Sequence, residues 1–121
     1  MRLLVVDDNT ECRAMAVRLL ACLGHDVMEA GEAGEAEALF TRERGAIELV
    51  LVDLFLGSSD GVTLATRLES LHAGLRVLFM SGHGEATREM ADLEGARRQF
   101  LEKPFSLPAL EAALESLSRC P

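Results

Sequence analysis

The sequence predicts an α/β fold built on a doubly wound parallel sheet, and three observations carry that prediction. Short apolar runs alternate with helical patterns along the whole chain. Three of the runs, Leu3 to Val6, Leu49 to Val52 and Val77 to Met80, are continuous instead of alternating, as strands covered on both faces by helices require. Strict alternation of β and α at this length leaves few topologies other than right-handed crossovers onto one sheet. No repeat, low-complexity tract or linker divides the 121 residues, so residues 1–121 are expected to form one domain. At this size a chain buries roughly two-thirds of its unfolded surface, enough for a core without disulfides or a structural metal.

Each element has its own punctuation. The first helix is read from about Thr10 to Leu23 and ends at Gly24, which can adopt the left-handed conformation that closes a helix. The second strand covers Val27 to Ala30, and the second helix runs from about Glu32 to Glu43, stopping at Gly45. A third helix opens after Asp60, a good N-cap, and sets Val62, Leu64, Ala65, Leu68 and Leu71 on one broad face. A fourth, around Glu85 to Leu93, is short, polar and weakly periodic. After a fifth strand at Phe100 to Leu101, the last helix opens at Ser106, carries Pro108 in its first turn and places Leu107, Leu110, Leu114 and Leu117 on one side.

Composition narrows the function. Twelve Lys+Arg against 20 Asp+Glu give a formal charge of −8, which repels phosphate backbones and anionic membranes; neither nucleic acid nor membrane is expected as a partner. The apolar runs are strand-length, so no signal peptide or membrane span is predicted, and a cytoplasmic location is expected. Cys12, Cys22 and Cys120 fit no zinc spacing. Ten helical steps separate the first two by about 15 Å, too far for a disulfide, so idle thiols of a reducing compartment are expected.

In doubly wound folds ligands gather at the carboxyl ends of the strands. The first strand ends in Asp7-Asp8, the third in Asp53, the fourth in Ser81, and the fifth runs into Lys103-Pro104. Clustered carboxylates repel one another, and a divalent cation is the usual compensation; hard oxygen donors suit Mg²⁺. A hydroxyl and a compact ammonium beside them make a receptor for a phosphoryl group. The plainer reading stays open from these residues alone: Asp7 and Asp8 capping the first helix, Asp53 beginning a loop, and Lys103 in a structural ion pair.

Taken together, LLVVDD (Leu3 to Asp8), LVLVD (Leu49 to Asp53), Asp60-Gly61, VLFMSG (Val77 to Gly82) and FLEKPF (Phe100 to Phe105) resemble the response-regulator receiver domain over essentially the whole chain. The last two segments are most similar to receivers attached to hybrid sensor kinases. The resemblance implies a flavodoxin-like five-stranded sheet of order 2-1-3-4-5 with five helices, and a phosphorylation switch of a two-component system or phosphorelay. Asp53 would be the phosphoacceptor, taking its phosphoryl group from a histidine kinase or histidine phosphotransfer protein. Asp8, Asp53 and the Phe55 carbonyl would bind Mg²⁺, with Asp7 acting through a water. Ser81 and Lys103 would bind phosphoryl oxygens, and Leu54 and Gly82 would supply backbone N–H donors. Ser81 and Phe100 would be the switch pair, acting on a downstream output protein or domain. The fourth helix, fifth strand and fifth helix would form the output face and a possible homodimer surface. The Lys103–Pro104 bond would be cis. Phosphodonors would dock near the first helix, around Met15, and near the loop carrying Gly57. The domain would promote its own phosphorylation and dephosphorylation without a separate turnover substrate.

Several positions depart from the family pattern. Gly57 stands where many relatives carry proline, so the segment Phe55 to Ser59 is expected to be a more flexible loop. Phe55 replaces a frequently polar residue and would shield the acyl phosphate from water. His83, at the mouth of the site, reads either as an ordinary loop histidine or as a modulator that positions water. Two other classes compete. A haloacid-dehalogenase-like Mg²⁺ phosphohydrolase would need an Asp-x-Asp motif, but Asp7-Asp8 is followed by Asn9, and no cap insertion is present. A pure binding module, either a flavin carrier or a degenerate receiver, is disfavoured by the absence of Trp, Tyr and a Gly-rich phosphate loop, and by five chemically competent positions.

Overall fold

The computed structural model describes residues 1–43, 45–57, 59–82 and 97–118. The order of elements is β1 (Arg2–Val6), α1 (Thr10–Cys22), β2 (Asp26–Ala30), α2 (Ala33–Arg42), β3 (Leu49–Asp53), β4 (Phe55–Leu56), β5 (Ser59–Asp60), α3 (Gly61–Leu71), β6 (Arg76–Ser81), β7 (Arg98–Glu102) and a C-terminal helix, Leu107–Ser118. The helix expected at Glu85 to Leu93 and the side chain of His83 lie outside the described residues, as does Cys120.

Five strands form one parallel sheet in the order β2-β1-β3-β6-β7, the predicted doubly wound arrangement. Alternation along each central strand divides the core in two. Leu4, Val6, Val50, Val52, Val77 and Phe79 face Ala36 and Phe40 of α2 and Leu64, Ala65 and Leu68 of α3. Leu3, Val5, Leu49, Leu51, Leu78 and Met80 face Ala16 and Leu20 of α1 and Leu110, Leu114 and Leu117 of the C-terminal helix. Because both faces are dry, the central strands carry polar residues only at their ends, Arg2 and Arg76 where β1 and β6 begin and Asp53 and Ser81 where β3 and β6 finish. β2 and β7 lie at the sheet edges and extend beyond the apolar runs read from sequence, into Asp26 and into Arg98, Gln99 and Glu102. An edge residue has solvent on one side, so a polar side chain there costs little.

The helix boundaries follow local chemistry. Asn9, not Asp7 or Asp8, caps α1: its side chain accepts the Cys12 N–H at 2.9 Å, which removes the capping reading of the two aspartates. Asp60 caps α3 by accepting from Val62 at 2.9 Å, and the Ser106 hydroxyl accepts from Ala109 at 3.2 Å at the start of the last helix.

The segment after Asp53 is not the plain loop expected. β4 and β5 pair antiparallel, Phe55 with Asp60 and Leu56 with Ser59, and fold the chain back before α3. Gly57 turns this hairpin with φ +62°, a conformation closed to the proline of many relatives. The fold-back presses Gly61 against the end of β3. Its N–H donates to the Leu54 carbonyl at 2.8 Å, and a Cβ at position 61 would lie 2.1 Å from the Asp53 carbonyl oxygen. Gly61→Ala is therefore expected to destabilise the protein by about 1–3 kcal/mol through overpacking. Helix propensity alone would give the opposite sign, because alanine is the better helix former. Denaturant unfolding decides between them, and an unchanged or raised midpoint would show that Gly61 does not abut the Asp53 backbone.

Candidate functional site

The sheet reverses its winding between β1 and β3, so the crevice at their carboxyl ends is the topological switch point. Asp7 and Asp8 follow β1 and Asp53 ends β3; one carboxylate oxygen from each lies within 4.8 Å of the others. Asp7 is fully buried, Asp53 nearly so, and Asp8 is exposed. Lys103, just beyond β7, places its Nζ 2.8 Å from Asp7 Oδ2 and 2.5 Å from Asp53 Oδ2. Burial pulls the Lys103 pKa down, but hydrogen bonds to Asp53 and Asp7 and their negative charge outweigh it and raise the pKa above the ordinary lysine value. The ammonium thus stays protonated throughout the physiological range.

Backbone groups hold the remaining oxygens. Asp7 Oδ1 accepts the Asn9 N–H at 2.9 Å, and Asp53 Oδ1 accepts the Phe55 N–H at 3.0 Å. The Lys103 N–H donates to the Ser81 carbonyl at 2.7 Å, and the Lys103–Pro104 peptide is cis. Ser81, buried at the end of β6, is one residue beyond Met80, the register partner of Asp53. Gly82 follows it and lines an apolar cleft of about 480 Å³ with Cys12, Met15, Lys103 and Phe105. Met15, which lines that cleft, and Phe55, two residues past Asp53, each expose about half of their surface.

One expected backbone donor is corrected. The family resemblance implies a Leu54 N–H facing the phosphoryl group, but that N–H donates to the Met80 carbonyl at 2.9 Å. The N–H that reaches the Asp53 carboxylate belongs to Phe55, because β3 keeps its ladder with β6 one residue past Asp53 before the chain turns. Phe100 does not line the acidic crevice. It is half-buried on the α3 side of the sheet and stacks on Phe79 with ring centroids 5.1 Å apart and planes 25° apart. Arg98, paired with Glu69, lies over the Phe79 ring 5.6 Å from its centroid.

The donor set fits a hard divalent cation: three carboxylate oxygens from two strand ends, one of them on an exposed residue open to a hydrated ion. Asn9 and Arg13 were not singled out in the sequence, though both fix this site. The first could have been found from its place directly before α1, three residues ahead of the Cys12 N–H it caps, whereas the Arg13 contact to the Asp7 carbonyl exists only in three dimensions.

This geometry agrees with the comparisons with known proteins. The family described as response regulator receiver domain matches residues 3–115. The chain belongs to that family and is a receiver domain of two-component signalling, a phosphorylation-dependent signalling module. It is 33% identical over 118 residues to the transcriptional regulatory protein TcrA of Mycobacterium tuberculosis, covering 98% of this chain and 46% of that protein. It is 31% identical over 114 residues to the sensor kinase CckA of Brucella abortus, covering 94% of this chain and 12% of that protein. The crystal structure of the receiver domain from hybrid histidine kinase CckA superposes with a TM-score of 0.79 at 28% identity, covering 97% of this chain and 99% of that one. The chain thus spans less than half the length of these two full-length relatives.

The site carries three carboxylates against one described ammonium, and Asp8 is paired with no cation among the described residues. Without divalent ions, Asp8→Asn should relieve repulsion and raise the thermal midpoint by roughly a few degrees. With millimolar Mg²⁺ the wild type should gain stability by ligand linkage, and the variant should gain much less. Equal Mg²⁺-induced shifts in the two proteins would remove Asp8 from the cation site.

Proposed function

We propose that this chain is a phosphoacceptor of a two-component or phosphorelay pathway and that Asp53 takes the phosphoryl group. The observation that carries the reading is the Lys103 ammonium shared between the buried carboxylates of Asp7 and Asp53, beside the exposed Asp8. An Asp53 oxygen attacks the phosphorus of a phosphohistidine on a histidine kinase or histidine phosphotransfer protein. A P–O bond forms and the P–N bond breaks, its electron pair going to the ring nitrogen; the imidazole, already protonated on its other nitrogen, leaves as the neutral ring. Asp8 and Asp53, with the Phe55 carbonyl, are the groups that would hold Mg²⁺, and Asp7 would support it. When bound, the ion supplies positive charge against the phosphoryl oxygens.

The chain's own residues do the rest. Phosphorylation neutralises the Asp53 carboxylate to which Lys103 is bonded, so the ammonium follows the negative charge onto the phosphoryl group. The Phe55 N–H already points at the reacting carboxylate, and Ser81 and Gly82 stand at the adjacent strand end to supply further donors. The product is a covalent signal and no separate substrate turns over. Drawing Ser81 toward the phosphate shifts the strand end that Lys103 also grips through its backbone. In this reading Phe100 responds by leaving its stack on Phe79, which alters the face made by β7 and the C-terminal helix and signals to an output protein or domain. The same face is the proposed homodimer surface. No helix among the described residues is long and apolar enough to cross a membrane. A cytoplasmic setting, where Mg²⁺ and phosphohistidine partners are available, completes the proposal, and nucleic acid is not among the proposed partners.

Incubation with acetyl phosphate or phosphoramidate and Mg²⁺, followed by intact mass measurement, should give one phosphate adduct on the wild type and none on Asp53→Asn. One adduct on both proteins would refute Asp53 as acceptor. The exposed Phe55 ring shields the acyl phosphate from water, so Phe55→Asn is expected to speed its hydrolysis by up to about tenfold, equivalent to about 1.4 kcal/mol in the barrier. A decay rate equal to that of the wild type would show that the ring does not exclude water.

A further inference from the structure

We propose that Arg13 is a positioning residue for the cation site, a role that rests on the receiver reading above and assigns to α1 a part in setting where Asp8 points. Arg13 Nη1 donates to the Asp7 carbonyl oxygen at 2.8 Å, while its Nε donates to Glu29 Oε1 at 3.0 Å. One planar guanidinium thereby fastens the end of β1 to β2. The Arg13 backbone N–H closes the first turn of α1 on the Asn9 carbonyl at 2.9 Å, so the base of the side chain is fixed as well.

The consequence follows from the peptide plane. The Asp7 carbonyl and the Asp8 N–H belong to one planar unit, so holding the oxygen fixes the plane from which the Asp8 backbone continues. Asp7 is held independently: its N–H donates to the Ala30 carbonyl at 3.2 Å, and its carboxylate is bonded to Asn9 and Lys103. Asp8 has no hydrogen bond of its own among the described residues, and its side chain is exposed. Its direction toward Asp53 therefore depends on the orientation of the preceding peptide.

A purely stabilising role for Arg13 is the competing explanation, and its magnitude is small. Glu29 is half-exposed, and ion pairs with an exposed partner contribute about 0–1 kcal/mol. The bond to the Asp7 carbonyl is charge-assisted and less exposed, and it ends on the residue between the core strand and the exposed ligand. Lysine cannot reproduce this arrangement, because it offers a single nitrogen in place of a planar fork with donors on two edges. The backbone also leaves room for the guanidinium: a Cβ on Gly31 would lie 3.0 Å from Arg13 Nη1.

The test is calorimetric titration of the unphosphorylated protein with Mg²⁺, alongside phosphorylation by acetyl phosphate at saturating Mg²⁺. Groups that orient metal ligands typically change metal affinity 10–100-fold when removed, so Arg13→Met should weaken Mg²⁺ binding by about tenfold or more. Arg13→Lys should fall between it and the wild type. At saturating Mg²⁺ both variants should reach the wild-type extent of phosphorylation, a split that general loosening of the fold would not produce. Glu29→Gln keeps the Asp7 bond but loses the charged anchor; a smaller shift of the same sign is expected, and it keeps the test decisive if Arg13→Met fails to fold. Mg²⁺ affinity of Arg13→Met within twofold of the wild type would overturn the positioning role while leaving the receiver reading intact. So would unchanged affinity in both Arg13→Lys and Glu29→Gln if Arg13→Met does not fold. Absence of Mg²⁺ binding by the wild type would overturn the cation site itself, and this inference with it.

Discussion

The ammonium of Lys103 between Asp7 and Asp53 is the contact on which the carboxyl edge of this sheet depends. Asp7 is fully buried, and an isolated carboxylate there would be strongly disfavoured by desolvation. A single cation between two acids makes that burial tolerable without neutralising the cluster, because the exposed Asp8 leaves the three carboxylates one pairing short among the described residues. A site optimised only for stability would close that deficit with another basic side chain or replace an acid by an apolar residue. Here the excess negative charge remains at the rim, where a hydrated cation and then a phosphoryl group can meet it.

The scaffold makes such a cluster geometrically possible. β1, β3 and β6 are buried on both faces, so their register is fixed by two separate cores. Side chains at their ends therefore sit in set positions, although each comes from a different part of the chain. Lys103 follows an edge strand, but its backbone is tied to the central sheet through the Ser81 carbonyl. The packing of Gly61 on Asp53 serves the same end from the other side, since a bare Cα lets α3 begin against the end of β3.

What could be read from sequence follows this division. The central strands and the residues at their ends were legible because burial on both faces forces unbroken apolar runs, and the first polar residue after each run marks the rim. The edge strands were read short because Asp26, Arg98 and Gln99 carry polarity that an edge permits. The hairpin from Phe55 to Asp60 gave no signal, since two paired residues on each side are too few to impose a pattern. The backbone donor that the family resemblance implies at Leu54 falls at Phe55, because the ladder continues one residue beyond Asp53 and occupies the Leu54 N–H. Asn9 took the capping role that Asp7 and Asp8 could have filled, which leaves both aspartates to the site.

Phe100 shows how the same core physics constrains the proposed switch. Phenylalanine has no hydroxyl to exchange one hydrogen bond for another, so only packing distinguishes its positions. Leaving the stack on Phe79 gives up an aromatic contact worth about 0.5–1.5 kcal/mol beyond area burial. Taking a two-state equilibrium from 1:99 to 99:1 requires about 5.5 kcal/mol of differential interaction. The stack alone is thus too weak to lock the ring in either position, and the phosphate with its charge-assisted donors must supply most of the bias. The Arg98 guanidinium, paired with Glu69 on α3, lies over Phe79, and in the proposed switch it would restrain the ring that stays. In the proposed switch a weak aromatic contact would set the resting state and a stronger electrostatic one would override it, which is the order of strengths that a reversible signal needs.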